Sequence, residues 1–164
     1  MIAATFGDIR VVDVYIPNGQ SPDSDKYQYK LGWLAALQDW LARELQRYPK
    51  LVLLGDYNIA PEDRDVHDPA AWVGNVLVSP PERDAFKGLL ALGLHDSFRL
   101  FEQAEKSFSW WDYRMMGFRR NLGMRIDHIL ISVALVAQCK SCVIDKTPRK
   151  LERPSDHTPV VVEL

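Results

Sequence analysis

The stretch Leu51-Val52-Leu53-Leu54-Gly55-Asp56-Tyr57-Asn58 is an unbroken apolar run that ends abruptly in glycine, a carboxylate and a carboxamide. Such a run predicts a strand covered on both faces, and strands of this kind deliver polar groups at their carboxyl ends. Asp56 and Asn58 alternate, so both side chains point the same way if the chain stays extended. An ordinary turn remains the alternative, because Gly, Asp and Asn are common turn residues.

The segments on either side of this strand predict an α/β fold. Leucines recur at three- and four-residue steps between Lys26 and Tyr48, which predicts an amphipathic helix leading into the strand. Before that helix, Gly7-Asp8 separates two β-rich segments and predicts a hairpin. After the strand, Ser79-Pro80-Pro81-Glu82 has the form of a capping box and predicts a helix ending near Leu92. Strands that alternate with helices are typical of α/β domains.

The C-terminal half predicts further strands and a candidate acid–base pair. Residues 107–113 are predicted to form one strand, and the apolar run 125–131 another, which carries Asp127 inside it. A carboxylate in a buried strand is costly without a partner. Ser155-Asp156-His157 offers a partner just before the last predicted strand, because an Asp commonly orients and charges a catalytic His.

Composition limits the class of protein. The 164 residues suit one domain, and 47% hydrophobic with 26% charged residues is typical of a globular protein. No apolar run approaches the ~18 residues of a membrane span. The first residues lack the basic region and cleavage site of a signal peptide, so a cytoplasmic protein is expected. Cys139 and Cys142 form a lone Cys-x-x-Cys motif, which favours two reduced thiols over a zinc site.

Charge is distributed unevenly along the chain, although the net charge is only −2. Residues 1–105 hold ten Lys and Arg against sixteen Asp and Glu, whereas residues 106–153 hold ten against four. Aromatic residues are interleaved with the basic ones in the second segment, a composition suited to binding phosphates and stacking on bases or sugars. A solvated basic surface beside buried aromatic residues remains the alternative.

Five motifs in order resemble the exodeoxyribonuclease III group of bacterial apurinic/apyrimidinic endonucleases, within the endonuclease/exonuclease/phosphatase family. They are Tyr15-x-Pro-Asn-Gly, Gly55-Asp56-x-Asn58, Ser109-Trp110-x-Asp112-Tyr113-Arg114, Arg125-Ile126-Asp127 and Pro154-Ser155-Asp156-His157. The resemblance covers the whole chain and corresponds to about the last two thirds of such an enzyme. It implies a four-layer α/β sandwich, with residues 1–164 forming the C-terminal part of a single domain that lacks the N-terminal strands.

The resemblance also implies metal-dependent hydrolysis of phosphodiesters at abasic sites and 3′ ends of DNA, with Mg²⁺ or Mn²⁺ as cofactor. The implied catalytic residues are Tyr15, Asp56, Asn58, Asp127 and His157. The implied metal ligands, which offer the oxygen atoms these cations prefer, are Asp56, Asn58 and Asp156. The implied DNA contacts are Asn18, Trp110, Arg114, Met124, Arg125 and His157.

Each implied catalytic residue has a role that suits its chemistry. Asp56 would activate the attacking water, and Asn58 would steady that water or the transition state. Asp127 would orient a charged His157, which would neutralise charge on the phosphate. Tyr15 would donate a hydrogen bond to an oxygen of the same group.

The implied partner is duplex DNA, and Trp110 and Met124 match positions that frame the pocket for a flipped-out abasic sugar. The family's N-terminal strands, which supply an asparagine and a glutamate to the metal site, have no counterpart before Met1. Weak activity of the chain alone and self-association through exposed sheet surface are therefore expected. Two alternatives stay open: a phosphatase or phosphodiesterase of the same superfamily that acts on a small molecule, and a catalytically silent DNA-binding module.

Overall fold

The computed structural model describes residues 1–164, which form nine strands and five α-helices with four short 3₁₀ turns. The strands are β1 (Ile2–Phe6), β2 (Ile9–Tyr15), β3 (Leu51–Asp56), β4 (Leu94–Asp96), β5 (Trp110–Trp111), β6 (Gly123–Met124), β7 (Asp127–Ser132), β8 (Ser141–Ile144) and β9 (Val160–Glu163). The helices are α1 (Asp25–Arg47), α2 (Pro69–Trp72), α3 (Pro80–Ala91), α4 (Gly117–Arg120) and α5 (Val133–Val136).

The main sheet has five strands in the order β1-β2-β3-β7-β4. The hairpin predicted around Gly7-Asp8 joins β1 to β2. Strands β2 and β3 are parallel, and the long helix α1 makes the crossover between them, as a parallel pair requires. The remaining neighbours pair antiparallel. The central position of β3, with a partner on each side, explains why its sequence is apolar without interruption.

The two faces of the sheet have different covers. Leu51 and Leu53 point towards α1 and α3 and belong to the largest apolar cluster, which also holds Leu34 and Phe86. Residue Val52 points the other way, into a smaller cluster packed against the two-stranded ribbon of β8 and β9. Full burial of one such side chain contributes roughly 1.5–3 kcal/mol to folding. Layers of helix, sheet and ribbon thus follow from the alternation along β3.

The predicted strand over residues 107–113 is wrong except for β5. Before β5, the amide of Ser109 still donates to the carbonyl of Met124 at 3.0 Å, and its hydroxyl accepts hydrogen bonds from the backbone amides of Ile126 and Asp127, both at 3.1 Å. After β5 the backbone turns, with Met115 and Met116 both left-handed at φ 57° and 54°. The strand predicted from residue 125 begins two residues later, because the amide of Arg125 donates to the carbonyl of Asp65.

Several local predictions hold in the structure. The capping box is present at the start of α3, where the side chains of Ser79 and Glu82 each accept from the other's backbone. Cys139 and Cys142 are free thiols, and burial raises the pKa of Cys142 to about 11, which makes it a poor nucleophile. None of the helices is long and apolar enough to cross a membrane.

Candidate active site

Three strands bring acidic and phenolic side chains to one edge of the main sheet. Tyr15 and Asp56, the last residues of the parallel strands β2 and β3, are directly paired. Asp127, the first residue of the antiparallel strand β7, is paired with Asp56 on the other side. The predicted residues therefore lie in one row, with Asp56 at its centre. Tyr15 is 63% exposed, so its hydroxyl is accessible to a ligand.

The end of β3 is a tight turn that holds Asp56 and Asn58 together. The amide of Asn58 donates to Asp56 Oδ1 at 2.8 Å, and the Asn58 side-chain Nδ2 donates to Asp56 Oδ2 at 3.1 Å. Asn58 is left-handed at φ 49°, a conformation that asparagine tolerates. Gly55 has φ +138°, and a Cβ there would lie 1.9 Å from the carbonyl oxygen of Val14. The predicted strand is therefore present as β3, and the turn that was the alternative follows it directly.

His157 reaches this edge from the segment before β9 and contacts Asp127. Its Nδ1 lies 3.1 Å and 3.0 Å from the two carboxylate oxygens of Asp127. Burial disfavours the imidazolium, but the hydrogen bond and charge of Asp127 outweigh burial, so the pKa of His157 lies above its ordinary value. The backbone of His157 also bridges to Trp110. The geometry is that of an imidazole held and charged by a carboxylate.

Asp56 is the most strongly perturbed carboxylate of the row. Burial, together with the negative charge of Asp127, raises the pKa of Asp56 to about 6, although the hydrogen bond from Asn58 and the charge of His157 oppose the shift. A carboxylate with a pKa near 6 accepts a proton from water more readily than an ordinary aspartate does. The arrangement therefore supplies a base beside a cationic imidazole.

The same three residues form a candidate metal centre. One ligand atom from each of Asp56, Asp127 and His157 lies within 4.8 Å of the others. The mutual repulsion of the two carboxylates would be relieved by a divalent cation, so this donor set fits one. Of the predicted ligands, Asp56 belongs to the cluster, whereas Asn58 Oδ1 accepts from Asn18 and Asp156 Oδ2 accepts from the Trp110 indole at 3.0 Å.

A buried lysine behind the site was missed by the sequence analysis. Lys30 is 0% exposed, and its ammonium donates to the backbone carbonyls of Asn58 at 2.7 Å and Asn18 at 3.1 Å. It also pairs with Glu82, which is equally buried. The side chains of Asn18 and Asn58 are hydrogen-bonded at 2.9 Å, so one ammonium fixes both asparagines. The sequence did contain a sign of this lysine, because Lys30 falls on the same face of the predicted helix as its buried leucines.

The predicted DNA contacts separate into two groups. Asn18 and Arg114 are exposed, and Trp110 and His157 are half-buried at the same edge as Asp127. These four can meet a ligand from solvent. Tyr113 is also exposed, at 62%, and its hydroxyl donates to the carbonyl of Pro154.

The structure contradicts the expected DNA contact through Arg125 and gives Met124 a different place. Arg125 is 1% exposed and forms ion pairs with Asp65 at 2.7 Å and Asp96 at 2.8 Å. Its guanidinium neutralises two buried carboxylates, so it is not free to bind a phosphate. Met124 is 0% exposed and packs in an apolar cluster against Trp110, so it supports that ring from the interior. The motifs that contain Arg125 and Met124 gave no indication that either side chain is buried.

Comparison with known proteins assigns the chain to a family of nucleases and phosphatases. The profile of the endonuclease/exonuclease/phosphatase family matches residues 2–157, and the chain belongs to this family. The chain is 38% identical over 166 aligned residues to an exodeoxyribonuclease III from Haemophilus influenzae. The alignment covers 96% of this chain and 62% of that relative.

Solved structures agree with the fold prediction. A 3′-5′ exonuclease from Neisseria meningitidis superposes with a TM-score of 0.96 at 48% identity, over 98% of this chain and 63% of that one. An AP endonuclease from Archaeoglobus fulgidus gives 0.92 at 40% identity, with the same two coverages of 98% and 63%. The predicted α/β architecture of this family is confirmed. The chain spans somewhat less than two thirds of the length of these relatives.

Proposed function

We propose that the chain carries the hydrolytic centre of a DNA-repair nuclease, which cleaves phosphodiesters at abasic sites and 3′ ends of duplex DNA. The observation that carries the proposal is the cluster of Asp56, Asp127 and His157 within 4.8 Å at the edge of the sheet. A base beside a cationic group is what hydrolysis of a phosphodiester requires. The names of the relatives support this substrate class, and a Neisseria relative was solved bound to a product DNA hairpin.

In the proposed reaction, Asp56 takes a proton from the attacking water. Its central place in the row, paired with Tyr15 on one side and Asp127 on the other, suits this role because a general base must lie within reach of the water that it deprotonates. Asn58 donates two hydrogen bonds to Asp56, from its backbone amide and from Nδ2, and so keeps the carboxylate in one orientation. Asn58, which was predicted to steady the water or the transition state, would therefore act by holding the carboxylate of Asp56 in position.

His157 stabilises the negative charge that develops on the phosphate oxygens. Asp127 keeps the imidazole protonated and fixes its ring through Nδ1, so Nε2 is the nitrogen left to face a ligand. Tyr15 stands on the opposite side of Asp56 and would donate its hydroxyl to the same phosphate. Fixed donors on both sides of the attacked phosphorus lower the barrier because they need no reorganisation.

We further propose a divalent cation, Mg²⁺ or Mn²⁺, held by the carboxylate oxygens of Asp56 and Asp127. Such an ion supplies Lewis-acid activation of the phosphate and lowers the pKa of a bound water. Asp156 keeps one oxygen on the Trp110 indole and is left as an outer ligand. Mg²⁺ is commonly bound through one or two carboxylates, and waters and the substrate phosphate would complete its octahedron. Weak activity of the chain alone stays an expectation that follows from the resemblance.

The DNA would lie over the edge that carries Trp110, Arg114 and Asn18. The excess of basic residues in 106–153 provides the electrostatic attraction, and the exposed loop after β5 provides aromatic surface. A DNA substrate would place the chain in the compartment that holds the DNA, which is expected to be the cytoplasm. Residues 1–164 would then be the C-terminal part of one nuclease domain.

The test is an incision assay on a labelled duplex with one abasic site, with Mn²⁺ or EDTA. We expect slow cleavage that EDTA abolishes, and weaker cleavage of an undamaged duplex of the same sequence. Hydrolysis of a small phosphodiester without cleavage of DNA would replace the proposal by a small-molecule phosphodiesterase. Binding of the abasic duplex without cleavage at any metal concentration would replace it by a silent DNA-binding module.

Asp127 and His157 are expected to act as one unit. Removal of either should cost nearly as much rate as removal of both, because a charged imidazole without its carboxylate, or the reverse, no longer stabilises the phosphate. Single-turnover rates of Asp127→Asn, His157→Asn and the double variant measure this. Fully additive losses would show that Asp127 serves only the fold.

Self-association through β1 is a second proposal about partners. β1 is an edge strand, and Ile2 and Phe6 on it are 70% and 67% exposed without a charged residue or proline between them. Such an edge is a template for pairing with another strand. Sedimentation velocity should therefore show a concentration-dependent dimer that Thr5→Pro abolishes, since Thr5 pairs with Arg10, whose amide donates to β3, so the Thr5 amide faces outward and proline removes that donor. A monomer at all concentrations would exclude this interface.

A further inference from the structure

Arg149 is a buried arginine without a carboxylate partner. It is 6% exposed, and its Nε and Nη1 atoms are buried without any hydrogen-bond acceptor. Arg125, the other deeply buried arginine, is 1% exposed and forms ion pairs with both Asp65 and Asp96. Burial of a charged donor that makes no hydrogen bond is costly, so the two orphaned nitrogens of Arg149 point to a missing acceptor.

Three aromatic rings surround the guanidinium of Arg149. Its Cζ atom lies 5.0 Å from the ring centre of Phe118, 5.6 Å from that of Tyr113 and 5.8 Å from that of Trp111. The faces of aromatic rings attract a cation, which explains why the side chain is held at this place. The rings carry no oxygen that could accept from Nε or Nη1, so they position the guanidinium without neutralising it.

The guanidinium of Arg149 borders a cavity of about 280 Å³. The other charged residues of the lining are Arg119, which is exposed, and Asp112, whose Oδ1 accepts from the amide of Arg114 at 2.8 Å. The rest of the lining consists of Tyr113, Met116, Gly117, Phe118 and Pro154. A guanidinium presents a planar fork of donors that matches the oxygens of a phosphate group. The cavity therefore offers two such forks to one small anion.

The two segments that form this cavity are strongly basic. Residues 112–120 and 146–153 together hold seven Lys and Arg against two Asp and Glu. The hydroxyl of Tyr113 donates to the carbonyl of Pro154 at 2.8 Å, which joins the first segment to the residue that follows the second. An excess of positive charge around a cavity attracts a multiply charged anion more strongly than a singly charged one. Phosphate therefore suits the cavity better than a carboxylate does.

We propose that this cavity is an anion site separate from the hydrolytic edge, in which Arg149 binds a phosphate group and Arg119 contacts it from the rim. None of its lining residues belongs to the row of Tyr15, Asp56 and Asp127. The inference does not rest on the proposed function. The phosphate group is that of free inorganic phosphate or a backbone phosphate of DNA, which a guanidinium contacts in the same way. A bound phosphate would stabilise the loop after β5 against the segment before β9.

The test is a titration of the 164-residue chain with inorganic phosphate in EDTA, read by NMR of isotope-labelled methionine methyl groups. Met116 lines the cavity, Met124 packs beside Trp110, and Met1 precedes β1. At constant ionic strength, we expect the Met116 signal to move saturably with a midpoint of roughly a few millimolar, while that of Met1 stays in place. Movement of Met124 without Met116 would assign the phosphate to the hydrolytic edge and overturn the proposal.

Variants of the arginines test which groups hold the anion. Arg149→Leu should abolish the movement of the Met116 signal, because leucine fills the space between the rings but donates no hydrogen bond. Arg119→Ala should weaken phosphate binding about threefold, whereas Arg120→Ala, at an exposed neighbour outside the cavity lining, should bind as the parent does. Circular dichroism shows whether each variant is folded. Unchanged binding by folded Arg149→Leu would overturn the proposal.

The parent chain decides the question even if Arg149→Leu does not fold. A Met116 signal that stays in place up to about 50 mM phosphate would overturn the site. An equal response to acetate would overturn its assignment to phosphate, because acetate carries a single charge.

A second titration, with duplex DNA already bound to the chain, distinguishes the two sources of phosphate. If a backbone phosphate fills the site, the duplex should prevent the movement of the Met116 signal by free phosphate. Arg149→Leu should then also lower the slope of log K for the duplex against log salt by about one. If free phosphate still moves the Met116 signal, the site takes the free ion. Both results support the site, and loss of the site would leave the proposed function untouched because no cleavage is measured.

Discussion

Asp56→Asn is expected to lower the single-turnover rate of abasic-site incision at least ~100-fold, because a carboxamide cannot take a proton from the attacking water. Asparagine keeps the size of the side chain and still accepts a hydrogen bond at its oxygen, so affinity for the duplex should change only a few-fold. The measurement uses enzyme in excess over labelled duplex, with Mn²⁺ present. A rate within about threefold of the parent would remove Asp56 from this role.

Asp56→Asn should lower the incision rate without unfolding the chain. The raised pKa of Asp56 predicts how its melting temperature should compare with that of the parent. The pKa of Asp56 is raised from 3.8 to about 6, so the folded chain holds this proton more tightly than the unfolded chain. The ionised carboxylate therefore lowers the free energy of unfolding above about pH 6, a penalty that is absent below pH 3.8. Asp56→Asn removes that penalty, so at mildly alkaline pH it should melt no lower than the parent. Asp39→Asn, on the exposed side of α1, is the matched control.

Lys30→Met is expected to reduce the free energy of unfolding by about 3–5 kcal/mol, the usual cost of breaking a buried ion pair from one side. The substitution leaves the carboxylate of Glu82 at 0% exposure without its cation, and it frees the carbonyls of Asn18 and Asn58. Burial lowers the pKa of Lys30, while the charge and hydrogen bond of Glu82 oppose that shift. Urea unfolding near neutral pH, analysed as a two-state transition, gives the difference.

The second variant in this test is the double substitution Lys30→Met with Glu82→Gln. It removes both charges and should recover part of the lost stability, because no unpaired ion remains in the interior. Lys87→Met breaks an exposed pair with Asp84 and should change stability by less than about 0.5 kcal/mol. A loss in Lys30→Met as small as that in Lys87→Met would show that the buried pair contributes nothing specific.

The parts of the fold that sequence predicts are those encoded by neighbouring residues. The apolar run before Gly55 identifies β3, and the capping box at Ser79 identifies the start of α3, because each signal lies within a few positions. The grouping of Asp56, Asp127 and His157 was inferred from motif order, and the structure brings these residues together. Their roles stay predictions until the variants above are measured.

Features that depend on distant pairing were not predictable from local pattern. Lys30 meets Glu82 across 52 residues, and Arg125 meets Asp65 across 60 residues. A charged side chain on a helix or in a motif is usually solvated, so sequence alone favours exposure for both. The strand predicted over residues 107–113 is present only as β5, because the chain turns after Trp111 and Met115 and Met116 take left-handed backbone angles.

The spacing of the proposed catalytic row, from Tyr15 to Asp56, depends on the absence of a Cβ atom at Gly55. A methyl group at this position would sit 1.9 Å from the carbonyl oxygen of Val14, on the strand that ends in Tyr15. Relief of that overlap requires β2 to move away from β3, which would carry the phenol away from the carboxylate of Asp56. The distance between Tyr15 and Asp56 is therefore set by the close contact between the backbones of β2 and β3 at Val14 and Gly55. Gly55→Ala adds no polar atom, yet it would widen the gap between Tyr15 and Asp56 while leaving every proposed catalytic residue in the sequence.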